Sequence, residues 1–300
     1  MPIISESRDI AKSARISEDV DIRASSIVIG ENAVIGKGVF ARVAGKLEIG
    51  TATVIKSTRI ACRDVSIGSN NYIDGVLIEA SPNSHSQRVR IGNENLILQN
   101  TRINCNEDVF IGNDVGIGQN VDIWTHGSFM DVLAGYPYTA GPVRIGDHVW
   151  ITAHSTIMPG IVVGDNVIIG NNTIVNKNVP GGSFFAGMPG KVVKENAYPP
   201  KITVEEQKKI LDDIIADYLE NCKLKDFKPE VQRTGLDIHY MSPGGANAIF
   251  NTENRTIKGG TDRYTEDFRD YLRFRGVKFF TNMPFSSILP LDYRKLDELE

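Results

Sequence analysis

Residues 145–193 read IGDHVWITAHSTIMPGIVVGDNVIIGNNTIVNKNVPGGSFFAGMPGKVV, and from Ile145 to Val175 an aliphatic residue recurs at every sixth position. A helix would repeat its apolar residues at spacings of three and four, and an ordinary strand at two. A strict period of six, rich in β-branched residues, instead predicts short strands joined by tight turns. The recurring residues are Ile145, Ile151, Ile157, Val163, Ile169 and Val175.

The same period extends towards the N-terminus, over two thirds of the chain. Three units of six close a three-sided coil of about 18 residues, and stacked coils bury a column of aliphatic side chains. No single coil buries its own apolar face, so we predict a continuous stack. The further positions are Ile29, Ile35 and Ala41; Ile49, Ile55 and Ala61; Ile67, Ile73 and Glu79; Ile91, Ile97 and Ile103; and Ile111, Ile117 and Ile123.

Two interruptions of the period predict loops that leave the stack. Comparison of successive coil starts places these insertions near residues 79–90 and 124–143, and the second is the longer. Long excursions from a rigid scaffold are where binding and catalytic residues concentrate. We therefore expect the chemistry of this protein at these loops.

Composition excludes several classes of protein. The 300 residues contain 33 Lys+Arg and 37 Asp+Glu, a net charge of −4, which argues against a strongly basic nucleic-acid or membrane-surface binder. No apolar run is long enough for a transmembrane helix, and the first residues lack the apolar core of a signal peptide. The three cysteines lack a CxxC spacing, so neither disulfides nor a zinc site is indicated. We expect a soluble, cytoplasmic protein.

The last hundred residues have a different pattern. Pro199 and Pro200 mark a break, and residues 196–228 predict a linker and an amphipathic helix that begins with a capping box at Thr203 and Glu206. Residues 229–300 predict a small α+β domain. Its expected strands lie near 236–241, 246–250, 254–258 and 277–281, with a helix near 265–275 and a short one from 292. Its role is either selection of an acceptor or stabilisation of an oligomer.

The repeat and the closing AGMPGKVV block resemble the hexapeptide-repeat acyltransferases, a family that includes galactoside, maltose and polysaccharide O-acetyltransferases. The resemblance implies a mainly β chain with a left-handed parallel β-helix over residues 1–195. It also implies a homotrimer that uses acetyl-CoA as the acyl donor and a sugar, nucleotide sugar or polysaccharide as the acceptor.

The resemblance assigns candidate site residues. His126, in the WTHG segment of the longer insertion, matches the catalytic base, and histidine suits proton removal from a hydroxyl near neutral pH. Ala153 matches a position whose backbone N–H faces the thioester carbonyl, as an oxyanion donor does. The positions that match the CoA-binding residues of the family are Trp150, Asn171, Lys177, Lys191 and Lys194.

One position departs from the family pattern. Some relatives orient the histidine with an asparagine in the preceding coil, and Leu98 stands at the matching position. The sequence leaves several substitutes open, and it leaves His85 as a possible residue of the acceptor cleft. The candidates for the orienting residue are Asn100, Asn104, Glu107 and Asp131.

Two further interpretations stay open within this fold, and a third is disfavoured. The acceptor could be the amine of a nucleotide-linked amino sugar, or the solenoid could be a scaffold without activity. A metal site formed by His126, His148 and His154 is disfavoured, because His148 and His154 lie one repeat apart and point in different directions. We therefore expect no metal and favour acyl transfer to a sugar hydroxyl in a ternary complex.

Overall fold

A computed structural model describes residues 3–84 and 86–297. The chain divides into two compact units. Unit 1 contains the described residues up to Pro200 together with Asn282–Pro284, and unit 2 contains Lys201–Thr281 and the described residues from Phe285 onward.

Unit 1 is a parallel β-solenoid with three faces, which each coil visits in the order face 1, face 2, face 3. Face 1 consists of Ser7–Ile10, Asp64–Ile67, Arg88–Ile91, Val109–Ile111, Val143–Ile145 and Val162–Val163. Face 2 consists of Arg15–Ile16, Val34–Ile35, Val54–Lys56, Tyr72–Asp74, Leu96–Ile97, Gly116–Ile117, Trp150–Ile151, Ile168–Ile169 and Phe184–Ala186. Face 3 consists of Ile3–Ile4, Arg59–Cys62, Leu77–Glu79, Arg102–Asn104, Asp122–Ile123, Thr156–Ile157 and Ile174–Val175.

Two long strands, Asp21–Ile29 and Phe40–Ile49, run continuously from face 3 to face 1. At the other end of the stack, Lys191–Lys194 adds antiparallel to Phe184–Ala186 and closes face 2. The predicted mainly β fold built from hexapeptide coils is therefore confirmed, and it is consistent with the left-handed winding that the resemblance implies.

The aliphatic column forms as the period predicts, with two shifts on face 3. Ile117, Ile151 and Ile169 stack in register on face 2 and are fully buried. On face 3, however, the column contains Ile60 and Ile78, not the predicted Ala61 and Glu79. The prediction is wrong there because the chain turns from face 2 to face 3 with one residue fewer in these two coils.

The edges of the solenoid explain many polar residues of the repeat. The third residue after a buried aliphatic often has a positive φ, a left-handed conformation that asparagine and aspartate tolerate better than most residues. The coils also approach closely at the edge between faces 1 and 2, where a Cβ on Gly112 would lie 2.4 Å from Asp147 Oδ1. The left-handed polar residues at these edges include Asn32, Asn70, Asn100, Asp114, Asn120, His148, His154, Asn166 and Asn172.

Both long excursions leave the solenoid at the edge between faces 3 and 1, which we call the 3–1 edge. The shorter excursion joins Leu77–Glu79 to Arg88–Ile91, and the longer one joins Asp122–Ile123 to Val143–Ile145. The longer excursion contains a two-stranded antiparallel pair, His126–Gly127 with Thr139–Ala140, and a 3₁₀ turn at Val132–Ala134. The long strands around this edge, and these loops, make it the least regular part of the solenoid.

Unit 2 consists of a helix, a four-stranded antiparallel sheet and two further helices. The first helix, α1, spans Val204–Leu224, and Thr203 and Glu206 form its capping box. The strands are Glu230–Thr234, Asp237–Met241, Asn247–Asn251 and Thr256–Gly259, and helices α2 and α3 span Arg263–Phe274 and Leu291–Asp297.

An aromatic core holds unit 2 together. Tyr240 stacks on Phe268 with ring centroids 4.9 Å apart, and Tyr218 of α1 packs on the same ring. The sequence analysis did not predict the strand Glu230–Thr234, and its predicted strand over Val277–Thr281 is wrong. That segment is irregular in the structure, and its Phe279 packs into the core of unit 2.

Neighbouring valines of one strand test the buried column. Val163→Ala removes side-chain atoms from a residue that is 1% exposed, whereas Val162→Ala acts on one that is 42% exposed. We expect the first change to lower the free energy of unfolding of unit 1 by about 2 kcal/mol and the second by less than about 0.5 kcal/mol. Urea unfolding followed by tryptophan fluorescence reports on unit 1, since Trp124 and Trp150 both lie there. Equal effects of the two changes would contradict the assigned register.

The N-cap residue of α2, Asp262, makes the stability of this helix depend on pH. Burial alone would raise the pKa of Asp262, but hydrogen bonds from Ser242, Thr265 and Tyr264 outweigh it and hold the pKa below the ordinary 3.8. This stabilisation is therefore present above pH 3.8 and is lost as the pH falls through the lowered pKa.

We expect Asp262→Ala to destabilise α2 by about 1 kcal/mol at pH 7, with a difference from wild type that shrinks in acid. Hydrogen exchange of the α2 amides measures the effect, and Glu253→Ala, at an exposed position, is the control. A difference that persisted unchanged at pH 2 would contradict the assignment.

Candidate active site

His126 lies at the 3–1 edge, where the longer excursion leaves the solenoid. It begins the short strand His126–Gly127, which pairs antiparallel with Thr139–Ala140. The side chain is half-buried. Two backbone hydrogen bonds hold the start of this strand. The Trp124 N–H donates to the Ile157 carbonyl of the next coil at 3.0 Å, and the Gly141 N–H, at the far end of the same excursion, donates to the Thr125 carbonyl at 2.9 Å.

A buried asparagine holds the His126 ring. Asn104 Oδ1 lies 3.0 Å from His126 Nδ1 and also accepts a hydrogen bond from the Thr125 hydroxyl at 2.9 Å. Asn104 is only 7% exposed, and its amide nitrogen faces Asn106 Oδ1 at 3.4 Å, which fixes the orientation of the carboxamide. An amide oxygen only accepts hydrogen bonds, so in the neutral ring Nδ1 carries the proton and Nε2 has the lone pair.

The structure gives the other orienting candidates different surroundings. Asn100 is an exposed edge residue with φ 61°, which explains its residue type without the histidine. Asp131 caps the 3₁₀ turn and accepts from the Leu133 N–H at 2.8 Å. The Glu107 backbone N–H donates to the Thr125 hydroxyl, which in turn donates to Asn104 Oδ1, so Glu107 contributes through its backbone. His85 lies outside the described residues.

A pocket of about 530 Å³ opens beside His126. Its wall includes Trp124, Thr139, Thr156 and Met158, none of which the sequence analysis singled out. The Arg102 guanidinium lies 5.8 Å from the centre of the Trp124 ring, at the side of the pocket. The outward position of Trp124, directly after the buried Ile123, was the sequence signal for this side chain.

The residues matched to the acyl donor lie elsewhere on the solenoid. Trp150 is on face 2, 55% exposed, with its indole ring over Gly116. Ala153 and Asn171 occupy equivalent positions in successive coils at the edge between faces 2 and 3, and the Asn172 N–H donates to the Ala153 carbonyl. In the described part of the chain, the Ala153 N–H has no backbone acceptor, so it is available to a ligand.

The three candidate lysines are all exposed, as phosphate-binding side chains must be. Lys177 follows the face 3 strand Ile174–Val175 and therefore lies at the 3–1 edge, as His126 does. Lys191 and Lys194 lie on the closing antiparallel strand, opposite Ala186 and Phe184.

Within one chain, His126 and the candidate oxyanion donor Ala153 lie at opposite edges of face 3. Met158 shares the pocket of His126, and the width of face 3 separates Met158 from Ala153. Five residues at about 3.3 Å each span roughly 16 Å. His126 with Asn104 therefore forms one half of a candidate site, and Trp150 with Ala153 and Asn171 forms the other half.

His148 and His154 occupy turn positions at the edges of the solenoid, where the backbone conformation explains them. His148 and His154 have φ values of 55° and 61° at the edges, and His148 Nδ1 lies 3.2 Å from Asp114 Oδ2. Among the described residues, no group of three His, Cys, Asp or Glu side chains is placed to hold a metal ion.

The tautomer of His126 is directly testable. In wild type we expect the ring proton on Nδ1, because Asn104 Oδ1 accepts it. Asn104→Leu removes the acceptor and should shift the population towards the Nε2–H tautomer, which ¹⁵N NMR of the ring nitrogens measures. His148 is an internal control, whose signals should not move. An unchanged His126 tautomer in the variant would show that Asn104 does not orient the ring.

None of the helices that the structure describes has the length and apolar character needed to cross a bilayer. The model of the family described as bacterial transferase hexapeptide (six repeats) matches residues 142–177. Galactoside O-acetyltransferase of Escherichia coli (strain K12) is 31% identical over 133 residues, which cover 43% of this chain and 63% of that protein.

Among solved structures, a maltose O-acetyltransferase from Clostridium difficile 630 is 25% identical and matches 49% of this chain and 68% of its own, with a TM-score of 0.32. The chain spans 48–63% of the length of the first curated relatives that it matches. The repeat match lies within a solenoid whose coils continue on both sides of it. Residues 142–177 of the solenoid therefore match the hexapeptide-repeat transferase family, and the chain is similar to O-acetyltransferases that contain this repeat.

Proposed function

We propose that this protein transfers an acyl group, most simply acetyl, from CoA to a hydroxyl group of a sugar or polysaccharide. The observation that carries the proposal is the His126 ring, held through Nδ1 by the buried Asn104 beside a pocket. A histidine fixed in this tautomer beside a pocket is the arrangement that general-base catalysis requires. The name of the galactoside O-acetyltransferase relative supports a sugar hydroxyl as the acceptor.

The reaction needs one proton acceptor and one oxyanion donor. His126 Nε2 takes the hydroxyl proton while the hydroxyl oxygen attacks the thioester carbonyl carbon, so a C–O bond forms. The Ala153 N–H stabilises the negative charge that develops on the carbonyl oxygen. When the C–S bond breaks, the imidazolium returns its proton to the CoA sulfur, and the products are the ester and free CoA.

The donor would lie along the second half of the site. Trp150 offers an exposed indole for the pantetheine arm, and Asn171 offers its backbone beside it. Lys177, Lys191 and Lys194 would meet the phosphates of CoA as exposed point charges.

The separation of the two halves supports a site shared between copies of the chain. The 3–1 edge of one copy, with His126, would face the edge between faces 2 and 3 of another, with Ala153. A homotrimer, as in the family that the chain resembles, provides three such pairs. This arrangement puts base and donor in reach of each other without any change in the solenoid.

Two variants separate the proposed roles. His126→Gln should lower kcat for acetyl transfer by about 10²- to 10⁴-fold and leave the Kd for acetyl-CoA unchanged. Lys177→Glu should raise that Kd by about tenfold or more, because a phosphate loses a cation and meets an anion. Lys37→Glu, an exposed lysine of an N-terminal coil, is the matched control and should change neither. Calorimetry with acetyl-CoA and release of CoA thiol measure the two quantities.

Mixing the variants tests the shared site. Lys177 shares the 3–1 edge with His126, so the partner variant is Trp150→Ala, on face 2. Oligomers reassembled from His126→Gln and Trp150→Ala chains should recover activity if an intact half of one chain meets an intact half of another. Failure of acetyl-CoA to bind at millimolar concentration would reject the enzyme. Full activity of His126→Gln would reject the base.

A further inference from the structure

A second cavity of about 660 Å³ lies on the 3–1 edge, in the N-terminal coils. Its floor consists of small side chains at positions where the strands pass from face 3 to face 1. Ala44 and Ala61 belong to successive coils there, and Ala80 begins the shorter excursion of the next coil. Larger side chains at these positions would fill the cavity. The residues on its floor are Ala24, Val43, Ala44, Ala61, Cys62 and Ala80.

This cavity and the His126 pocket share one edge of one rigid body. Four coil steps separate the Phe40–Ile49 coil from the coil of Asp122–Ile123. Parallel strands lie about 4.8 Å apart, so the part of the cavity at Ala44 is roughly 19 Å along the edge from the His126 coil. A single sugar unit cannot span that distance, but a chain of several sugars can.

The shorter excursion connects the cavity with the histidine. Pro82 and Gln87 form part of the cavity wall, and Gln87 Nε2 donates to the carbonyl oxygens of Ser81 and Ser84 at 2.9 Å each. The Ser81 N–H in turn donates to Asn106 Oδ1 at 2.7 Å.

Asn106 completes the connection. Its Oδ1 also faces the amide nitrogen of Asn104, the residue that holds His126. Hydrogen bonds therefore lead from the wall of the cavity to the candidate base, along the same edge.

The lining of the cavity indicates the chemistry of its ligand. The floor is apolar, whereas the rim is polar, with Arg23, Arg42, Glu6 and Ser25. Arg42 is already paired with Asp21 at 2.6 Å, so the rim has little charge left for a strongly anionic ligand. An apolar floor with a nearly neutral polar rim suits a chain with C–H faces and many hydroxyl groups, as a glycan has.

We propose that the acceptor is a glycan chain of several sugars and that the cavity at Ala44 and Ala61 binds units remote from the hydroxyl that is acylated. The proposal rests on the proposed acyl transfer to sugars and adds the length of the acceptor. The acceptor then lies along the 3–1 edge, with one part at His126 and another in the N-terminal coils.

The test fills the cavity without touching the His126 pocket. The Ala44 side chain is exposed, so Ala44→Trp can be accommodated in the fold, and Lys12→Trp adds the same bulk at an exposed position that does not line the cavity. Acetyl transfer is measured with three neutral pairs: maltose and maltohexaose, cellobiose and cellohexaose, and xylobiose and xylohexaose. Thermal unfolding and light scattering verify the fold and the oligomeric state of each variant.

We expect the best hexasaccharide to have a kcat/KM at least about tenfold above that of its disaccharide. Ala44→Trp should abolish this advantage and leave the disaccharide within about twofold of wild type, and Lys12→Trp should change neither. Equal kcat/KM for both lengths, or no effect of Ala44→Trp, would overturn the proposal and leave the acyltransferase intact.

Two other outcomes would also overturn it. Loss of the oligomer in Ala44→Trp would identify the cavity as an interface between copies. Binding of acetyl-CoA without transfer to any of the six acceptors would reject the glycan assignment itself. Failure of acetyl-CoA to bind is a separate result, because it rejects the proposed function and not the length of the acceptor.

Discussion

The stack of aliphatic residues inside the solenoid is the interaction on which the rest of the structure depends. Residues such as Ile117, Ile151 and Ile169 each rest on the same position of the next coil, and parallel backbone hydrogen bonds keep them in register. The two pockets that flank the candidate chemistry open at an edge of the solenoid, outside this aliphatic column.

The 3–1 edge is where the solenoid departs most from its own repeat. Both excursions leave it, the His126 pocket opens on it, and the cavity at Ala44 lies further along it. The regular edges are filled by left-handed asparagines and closely stacked glycines, which leave little space for loops. Irregularity at a single edge thus concentrates the candidate chemistry on one side of a rigid body.

Three histidines occupy the same position of the repeat, but only one of them has the surroundings of a candidate base. His126, His148 and His154 each follow a buried aliphatic by three residues, yet only His126 starts a new strand pair, whereas the other two adopt the left-handed edge conformation. The insertion after His126 distinguishes it in the sequence. The choice between Asn100 and Asn104 is different, because it depends on a face 3 strand that turns Asn104 towards the histidine of the next coil.

The sequence by itself determined the coil, the position of the excursions and the strong candidate for the base, because a period of six is a local property that each coil repeats. Only the tertiary structure decided the phase at Ile60 and Ile78 and the partner of His126. The phase depends on the number of residues in the turn at each edge, and the partner of His126 depends on a contact between coils that are about twenty residues apart. A turn that is one residue shorter leaves the period almost intact, but it changes which side chain points inward.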